Sequence, residues 1–409
     1  MPSIEKTATL EAPPPRINRD ESRSDSNWKE LDLLRGWAAF LMIANHIAVH
    51  CPAVETSSFV GWMAFLGSMA PVMFFTITGL GYGVQSEARR PRSWSQVLPK
   101  IGILLVADSL MWLWPGRVIG LDFLGFIALS MLLLEFVRGR RHSGKLAILL
   151  CVLDFSVRFV LGPLWKSKMG EPGTGLGFWL GVTSLTGFSY SPSPWLVYPL
   201  LGYATGRLAA RQRPWLTQNP TRAMMAILSW AVVMGAPAAY IFAKGGVLFR
   251  YGTMSIAFFL LSLAFLGLSL AASLLLGRAS ILDRFTLSGI RSLAIVPIHY
   301  LYRDLLDVIA PPIGSAPAYL LATAAGVVLS FMASDWVRRG CDRLRTTPRR
   351  DRLILVIWLA VACCVCVAAT GKSVLFPVWS LRWTGQILLC LLLGANLPSR
   401  RPAPDPAAT

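Results

Sequence analysis

Charge is scarce in this chain. Only 15% of its 409 residues are Asp, Glu, Lys or Arg, where soluble domains carry about 25%. That deficit argues against an ordinary water-soluble fold. Acidic residues are the scarcer sign, 21 against 39 basic ones, and histidines number four. The seven cysteines do not suggest a disulfide framework. Cys51 and Cys341 are expected on opposite sides of a membrane. Cys151, Cys363, Cys364, Cys366 and Cys390 lie in apolar blocks and read as small buried hydrophobes. Cys363-Cys364-Val365-Cys366 has no His or carboxylate nearby to complete a metal site, so no metal is expected. No apolar run precedes Leu31, so no cleavable leader is expected.

What fills the chain is apolar sequence. Hydrophobic residues make up 54%, mean hydropathy is +0.55, and the apolar residues come in long blocks. These fall at about 33–50, 59–84, 101–115, 118–137, 146–164, 194–210, 223–243, 254–276, 290–310, 318–335, 353–370 and 383–397. The pattern predicts an all-α, polytopic transmembrane bundle of about 12 spans. Charge tests the count. With the N-terminus in the cytoplasm, 29 of the 39 Lys and Arg fall on inside segments and 7 outside, while Arg35, Arg158 and Arg303 lie within blocks. That asymmetry predicts both termini in the cytoplasm. It also accounts for the formal charge of +18 without nucleic acid, which is not expected as a partner. Residues 1–28, polar and containing Pro13-Pro14-Pro15, read as a disordered cytoplasmic tail. A core at 29–335 is followed by a basic cytoplasmic loop at 336–352, two further helices within 353–397 and a tail at 398–409.

The first block carries the sharpest chemistry. Arg35 and His46 are 11 residues apart, about three helical turns, so both lie on nearly one face roughly 16 Å apart along the axis. If Arg35 marks the membrane surface, His46 lies near mid-membrane, where an ionisable ring is a functional candidate by default. Imidazole is the side chain whose ordinary pKa lies nearest neutrality, so His46 is the candidate general base and His50 the alternative. Arg89 and Arg92 follow the second block and share Arg35's side, where guanidinium forks suit phosphate oxygens.

Other intramembrane polar residues have two readings each. Asp108 could orient an imidazole or pair with an Arg in the bundle. Asp154 and Arg158, at i and i+4, read as an intrahelical ion pair. His299 and Arg303 share a face of the ninth block. Pro297 just before them is expected to kink it into a cavity wall with Tyr302. Asn45 or Tyr302 could donate to an oxyanion. Gly79, Gly81 and Gly83 allow close helix approach. The outer segment 165–193 is rich in Gly and aromatics, which suits a membrane interface or sugar stacking. Gly371-Lys372-Ser373 ends like a phosphate loop, but the earlier Gly it needs falls at Cys366.

Arg35, ten residues, then His46 resembles the first-helix Arg–His motif of the integral-membrane acyltransferase-3 family. Arg89-Arg90-Pro91-Arg92 is similar to that family's R-x-x-R element. Leu31-Asp32-Leu33-Leu34-Arg35-Gly36 and Pro71 through Gly79 resemble the bacterial relatives of heparan-alpha-glucosaminide N-acetyltransferase. Gly202-Tyr203 followed by Gly206-Arg207 fits a helix end seen in both. Arg284 through Ser288, leading to His299, looks like the late acyltransferase-3 motif, although Val296-Pro297-Ile298 stands where a Tyr is usual.

The resemblance implies a ten-span acyltransferase core with two added helices in the bacterial cytoplasmic membrane. It implies an acyl-CoA donor, most simply acetyl-CoA, entering from the cytoplasm, and a glycan or glycolipid acceptor on the other face. On that reading His46 is catalytic, and Arg35, Arg89 and Arg92 hold the CoA phosphates. Asn45, Asp108, His299, Tyr302 and Arg303 support the cavity, and no metal is needed. The competing expectation is a transporter or flippase that uses buried His, Asp and Arg as a proton relay.

Overall fold

A chain this apolar must satisfy its backbone within each segment wherever it meets lipid, and the α-helix does so locally. The computed structural model describes residues 28–49, 51–88, 94–111, 122–170, 173–183, 188–246, 254–276, 293–309, 312–345, 350–369 and 378–396. Among the described residues there is no β-strand. The main helices are α1 (Lys29–Val49), α2 (Ser58–Gly67), α3 (Ala70–Glu87), α4 (Trp94–Met111), α5 (Phe123–Arg138) and α6 (Ser143–Ser156). After these come α7 (Val197–Arg211), α8 (Pro220–Ala243), α9 (Ile256–Leu276), α10 (Ile295–Ile309), α11 (Ala316–Arg345), α12 (Arg350–Ala369) and α13 (Val378–Asn396). Every expected apolar block falls on a helix. Among the described residues, five helical stretches are long and apolar enough to cross a membrane: Ser58–Glu87, Ser143–Met169, Pro220–Ala243, Ile256–Leu276 and Ala316–Cys341.

Helices α1 and α3 run through the main core, where Leu34, Ala38 and Leu41 meet Met73 and Phe75. Helix α6 passes through a π-helical turn at Val157–Leu161 into a further segment, Gly162–Met169. Little of that stretch, or of α8, is covered by protein. Their exposed apolar side chains, such as Leu149, Leu153 and Val232, are the lipid-facing surface a membrane bundle requires.

The tightest helix pair is α3 against α7. A Cβ on Gly79 would run into the Pro199 carbonyl, and one on Gly202 would run into the Thr76 carbonyl. Only hydrogen atoms fit there, so the two backbones touch. Gly83 repeats the contact one turn along, at the Tyr203 carbonyl. Gly81 does not take part: nothing lies within 4 Å of where its Cβ would be. The expected three-glycine face is therefore a two-glycine face, because i+2 points across the helix and i+4 does not. Gly202→Leu is expected to force α3 and α7 apart and destabilise the protein by about 1–3 kcal/mol, readable as a lower melting temperature in detergent. A change at Gly81 should leave it near wild type.

Several local expectations are revised. Pro297 does not kink α10. It is the third residue of the helix, within the first turn, where a missing N–H has no intrahelical partner to lose. Helix α11 continues to Arg345, so the first part of the expected basic loop is helical, with Asp335 paired to Arg338 at 2.8 Å and to Arg339. Cys363 and Cys366 are exposed rather than buried, on a helix whose apolar neighbours Val356 and Leu359 are also exposed. Helices α12 and α13 are packed into the bundle: Ile357, Val361, Leu381 and Leu388 close over Leu110 of α4.

Candidate active site

His46 is three residues from the end of α1, and three separate elements fix the segment around it. The Tyr319 hydroxyl of α11 donates to the Ala44 carbonyl at 3.1 Å. Asn45 Nδ2 donates to the Ala64 carbonyl of α2 at 2.6 Å. Gly67 lets α2 press against α1, since a Cβ there would meet the Leu41 carbonyl at 2.7 Å. The third element is α10, which brings His299 against His46 itself.

The two rings are 2.6 Å apart, His46 Nδ1 to His299 Nε2, with centroids 4.9 Å apart and planes nearly parallel. His299 is buried, and its Nδ1 lies 3.0 Å from the Ile295 carbonyl. That carbonyl can only accept, so His299 Nδ1 carries the hydrogen and its Nε2 carries the lone pair. His46 must then donate from Nδ1, which leaves the lone pair of the neutral ring on His46 Nε2. The Tyr300 hydroxyl lies 3.4 Å from that nitrogen and donates towards it. The Tyr300 ring stands 4.8 Å from His46 and 4.3 Å from His299, centroid to centroid. One backbone carbonyl thus sets the tautomer of two histidines in series.

His46 and Tyr300 line a cavity of about 370 Å³ together with Asn45, Ser68, Asp122, Ser189 and Tyr190, and with apolar Met42, Phe74, Met111, Phe123 and Val296. That volume lies within the ~300–1,000 Å³ of small-molecule sites. Tyr190 is held by aromatic packing, with Trp195 at 4.8 Å and Phe75 at 5.1 Å. The apolar walls exclude water, and a few convergent polar groups face one another across them.

The other sequence candidates are placed as follows. Asp108 is fully buried and orients neither imidazole. Its carboxylate accepts from the Asp122 N–H at 2.7 Å and the Leu124 N–H at 3.0 Å, capping α5 from the neighbouring helix. Tyr302 turns away from His46 and donates to the Ala322 carbonyl at 2.8 Å. Arg303 lies over the Tyr300 ring at 4.9 Å and pairs with Asp304 at 2.6 Å, so it backs the site rather than lining the cavity. Arg35 is paired with Asp32 at 2.8 Å and stays partly exposed. Arg158 donates to the Met254 carbonyl at 2.9 Å, tying α6 to the start of α9. His50, Arg89, Arg92 and the Arg284–Ser288 stretch lie outside the described residues.

Sequence reasoning missed Tyr300 and Asp122. Tyr300 sits about 100° round the helix from His299, off the face that His299 shares with Arg303. Asp122 had one available signal, a carboxylate inside an apolar block.

A family model described as heparan-alpha-glucosaminide N-acetyltransferase, catalytic, matches residues 28–245. No curated protein and no solved structure matches the chain. The matched residues carry α1 to α8, hence His46, Asn45 and Asp122. His299 and Tyr300 lie beyond them.

Proposed function

The chain belongs to the heparan-alpha-glucosaminide N-acetyltransferase catalytic family, and from that membership we propose how this membrane acetyltransferase works. It moves an acetyl group from cytoplasmic acetyl-CoA to a hydroxyl or amine of a glycan or glycolipid on the far side of a bacterial cytoplasmic membrane. The observation that carries the reading is the ordered chain from the Ile295 carbonyl through His299 to His46, which leaves a basic nitrogen on the cavity wall.

In this mechanism His46 Nε2 takes the proton of the acceptor as its oxygen or nitrogen attacks the thioester carbonyl. The tetrahedral intermediate collapses with loss of the C–S bond, and the departing sulfur takes that proton from His46. While His46 is cationic, its Nδ1–H donates more strongly to His299 Nε2, which shares the charge without accepting the proton. The Tyr300 hydroxyl is near enough to His46 to donate to the oxyanion once an acceptor displaces it.

Arg35, Arg89 and Arg92 hold the CoA phosphates on this reading. Arg35 and His46 are roughly 16 Å apart along α1, a separation that suits a pantetheine arm reaching inward from the cytoplasmic face. Twelve spans with both termini in the cytoplasm put the cavity at the outer ends of α4 and α5, on the acceptor's side. Helices α12 and α13 are then an addition to a ten-span core at 29–335.

Purified protein incubated with labelled acetyl-CoA tests the reading. The wild type is expected to bind the donor and transfer label. Arg35→Ala is expected to weaken donor binding about tenfold, the worth of one charge-assisted hydrogen bond. A wild type that binds no CoA would overturn the proposal and restore the transporter expectation.

A further inference from the structure

The N-terminus of α5 is unusual in how it is capped. Asp122 occupies the N-cap position, where an Asp side chain ordinarily accepts from the helix's own first N–H groups. Here it makes no such bond. The Asp108 carboxylate takes the cap from α4 instead, holding the backbone N–H of both Asp122 and Leu124. The Asp122 carboxylate stands on the wall of the cavity that holds His46. It is 7% exposed, so water covers little of it.

The rest of the wall says what that carboxylate could meet. Among the described residues lining the cavity there is no Lys or Arg. An anionic acceptor would therefore face a like charge with no counter-ion. A carboxylate has two oxygens and accepts from two donors at once. Beside it, Tyr190 and Phe74 line the same cavity and offer aromatic surface to C–H groups. A carboxylate that accepts two hydrogen bonds beside an aromatic surface fits a ring carrying neighbouring hydroxyls on an apolar face.

We infer that Asp122 is the specificity-determining residue of the acceptor site, binding two adjacent hydroxyls of a neutral sugar ring while a third group is presented to His46. The inference rests on the acetyltransferase reading and adds what the acceptor must carry besides its reacting group. Asp122 touches the acceptor and takes no proton from it. Asp108 acts through the backbone of α5 and is a positioning residue for Asp122.

The test uses the full chain in nanodiscs with labelled acetyl-CoA and two probes, octyl glucoside and octanol. Both have an eight-carbon tail, but octanol has a single hydroxyl. The wild type is expected to favour octyl glucoside in kcat/KM. In Asp122→Asn and Asp122→Ala that preference should fall about tenfold or more, through KM rather than kcat, as the loss of charge-assisted hydrogen bonds dictates. Both variants keep the backbone N–H that Asp108 holds, and a melting temperature close to wild type confirms that they fold. A preference unchanged within about twofold, or a wild type that favours octanol, would overturn the inference and leave the acetyltransferase reading standing. No His46-dependent transfer to either probe would overturn both.

Discussion

His46→Gln is expected to lower the turnover of acetyl transfer by about 10²–10⁴-fold, the usual contribution of a positioned general base. Acetyl-CoA binding should survive, because the phosphate anchors proposed for the donor lie at the other end of α1. The neighbouring His299 makes the prediction sharper. Its Nε2 accepts from His46 Nδ1 at 2.6 Å and its Nδ1 is committed to the Ile295 carbonyl. His299→Phe keeps a flat ring against His46 but removes the acceptor, so the His46 tautomer is no longer held. Its kcat should fall, by less than in His46→Gln. The double variant should be no worse than His46→Gln alone, since the two rings act as one unit. Added imidazole should partly restore His46→Gly, because it supplies a base inside a cavity of about 370 Å³. The measurements are kcat and KM for labelled transfer in each variant. A folded His46→Gln that keeps more than about a tenth of wild-type kcat would remove His46 from the chemistry.

The parts of this site were legible in the sequence to different depths. An ionisable ring in an apolar block costs free energy unless it is used or paired, which is why His46 and His299 stand out unaided. Their contact does not, because 253 residues separate them and no periodicity spans that distance. Asp108 was visible as a buried carboxylate, but its partners are backbone N–H groups, which every residue except proline carries, so no pairing rule points to them. Tyr302 and Tyr300 look alike on paper. The register of α10 against α11 sends Tyr302 to the Ala322 carbonyl and leaves Tyr300 with His46. The helices themselves were easier, because block length and hydropathy are local properties. The shape of a helix start was not, as Pro297 shows: a proline kinks a helix or begins one according to where the first turn falls.

The family match ends at residue 245, yet His299, Tyr300, Arg303 and Arg382 come from α10 and α13. Half of the histidine pair and all of its backing therefore lie outside the matched region. An isolated 28–245 fragment would keep His46 and lose the ring that orients it.

That backing carries the largest expected effect on stability. Asp304 is wholly buried between two guanidiniums. Arg303 Nη2 donates to its Oδ1 at 2.6 Å, and Arg382 Nε of α13 lies 3.1 Å from its Oδ2. The side chains of Arg303 and Arg382 are 9% and 17% exposed, so neither charge can turn to water without moving a helix. Asp304→Asn keeps the shape but removes the counter-charge of both. Stranding buried charges in this way is expected to cost about 3–5 kcal/mol. Arg382→Met should cost much less, because Asp304 then keeps Arg303 and the buried pair is neutral. The order of the two variants tests the account: thermal melting in detergent should place Asp304→Asn well below Arg382→Met, and Arg382→Met below wild type. The effect should also reach the site. Arg303 lies over the Tyr300 ring at 4.9 Å, and Tyr300 lies against His46, so a guanidinium released from Asp304 loosens the wall that holds the base. Equal melting temperatures for the two variants would show that Asp304 is not the shared counter-ion and that α13 is held by its apolar contacts alone.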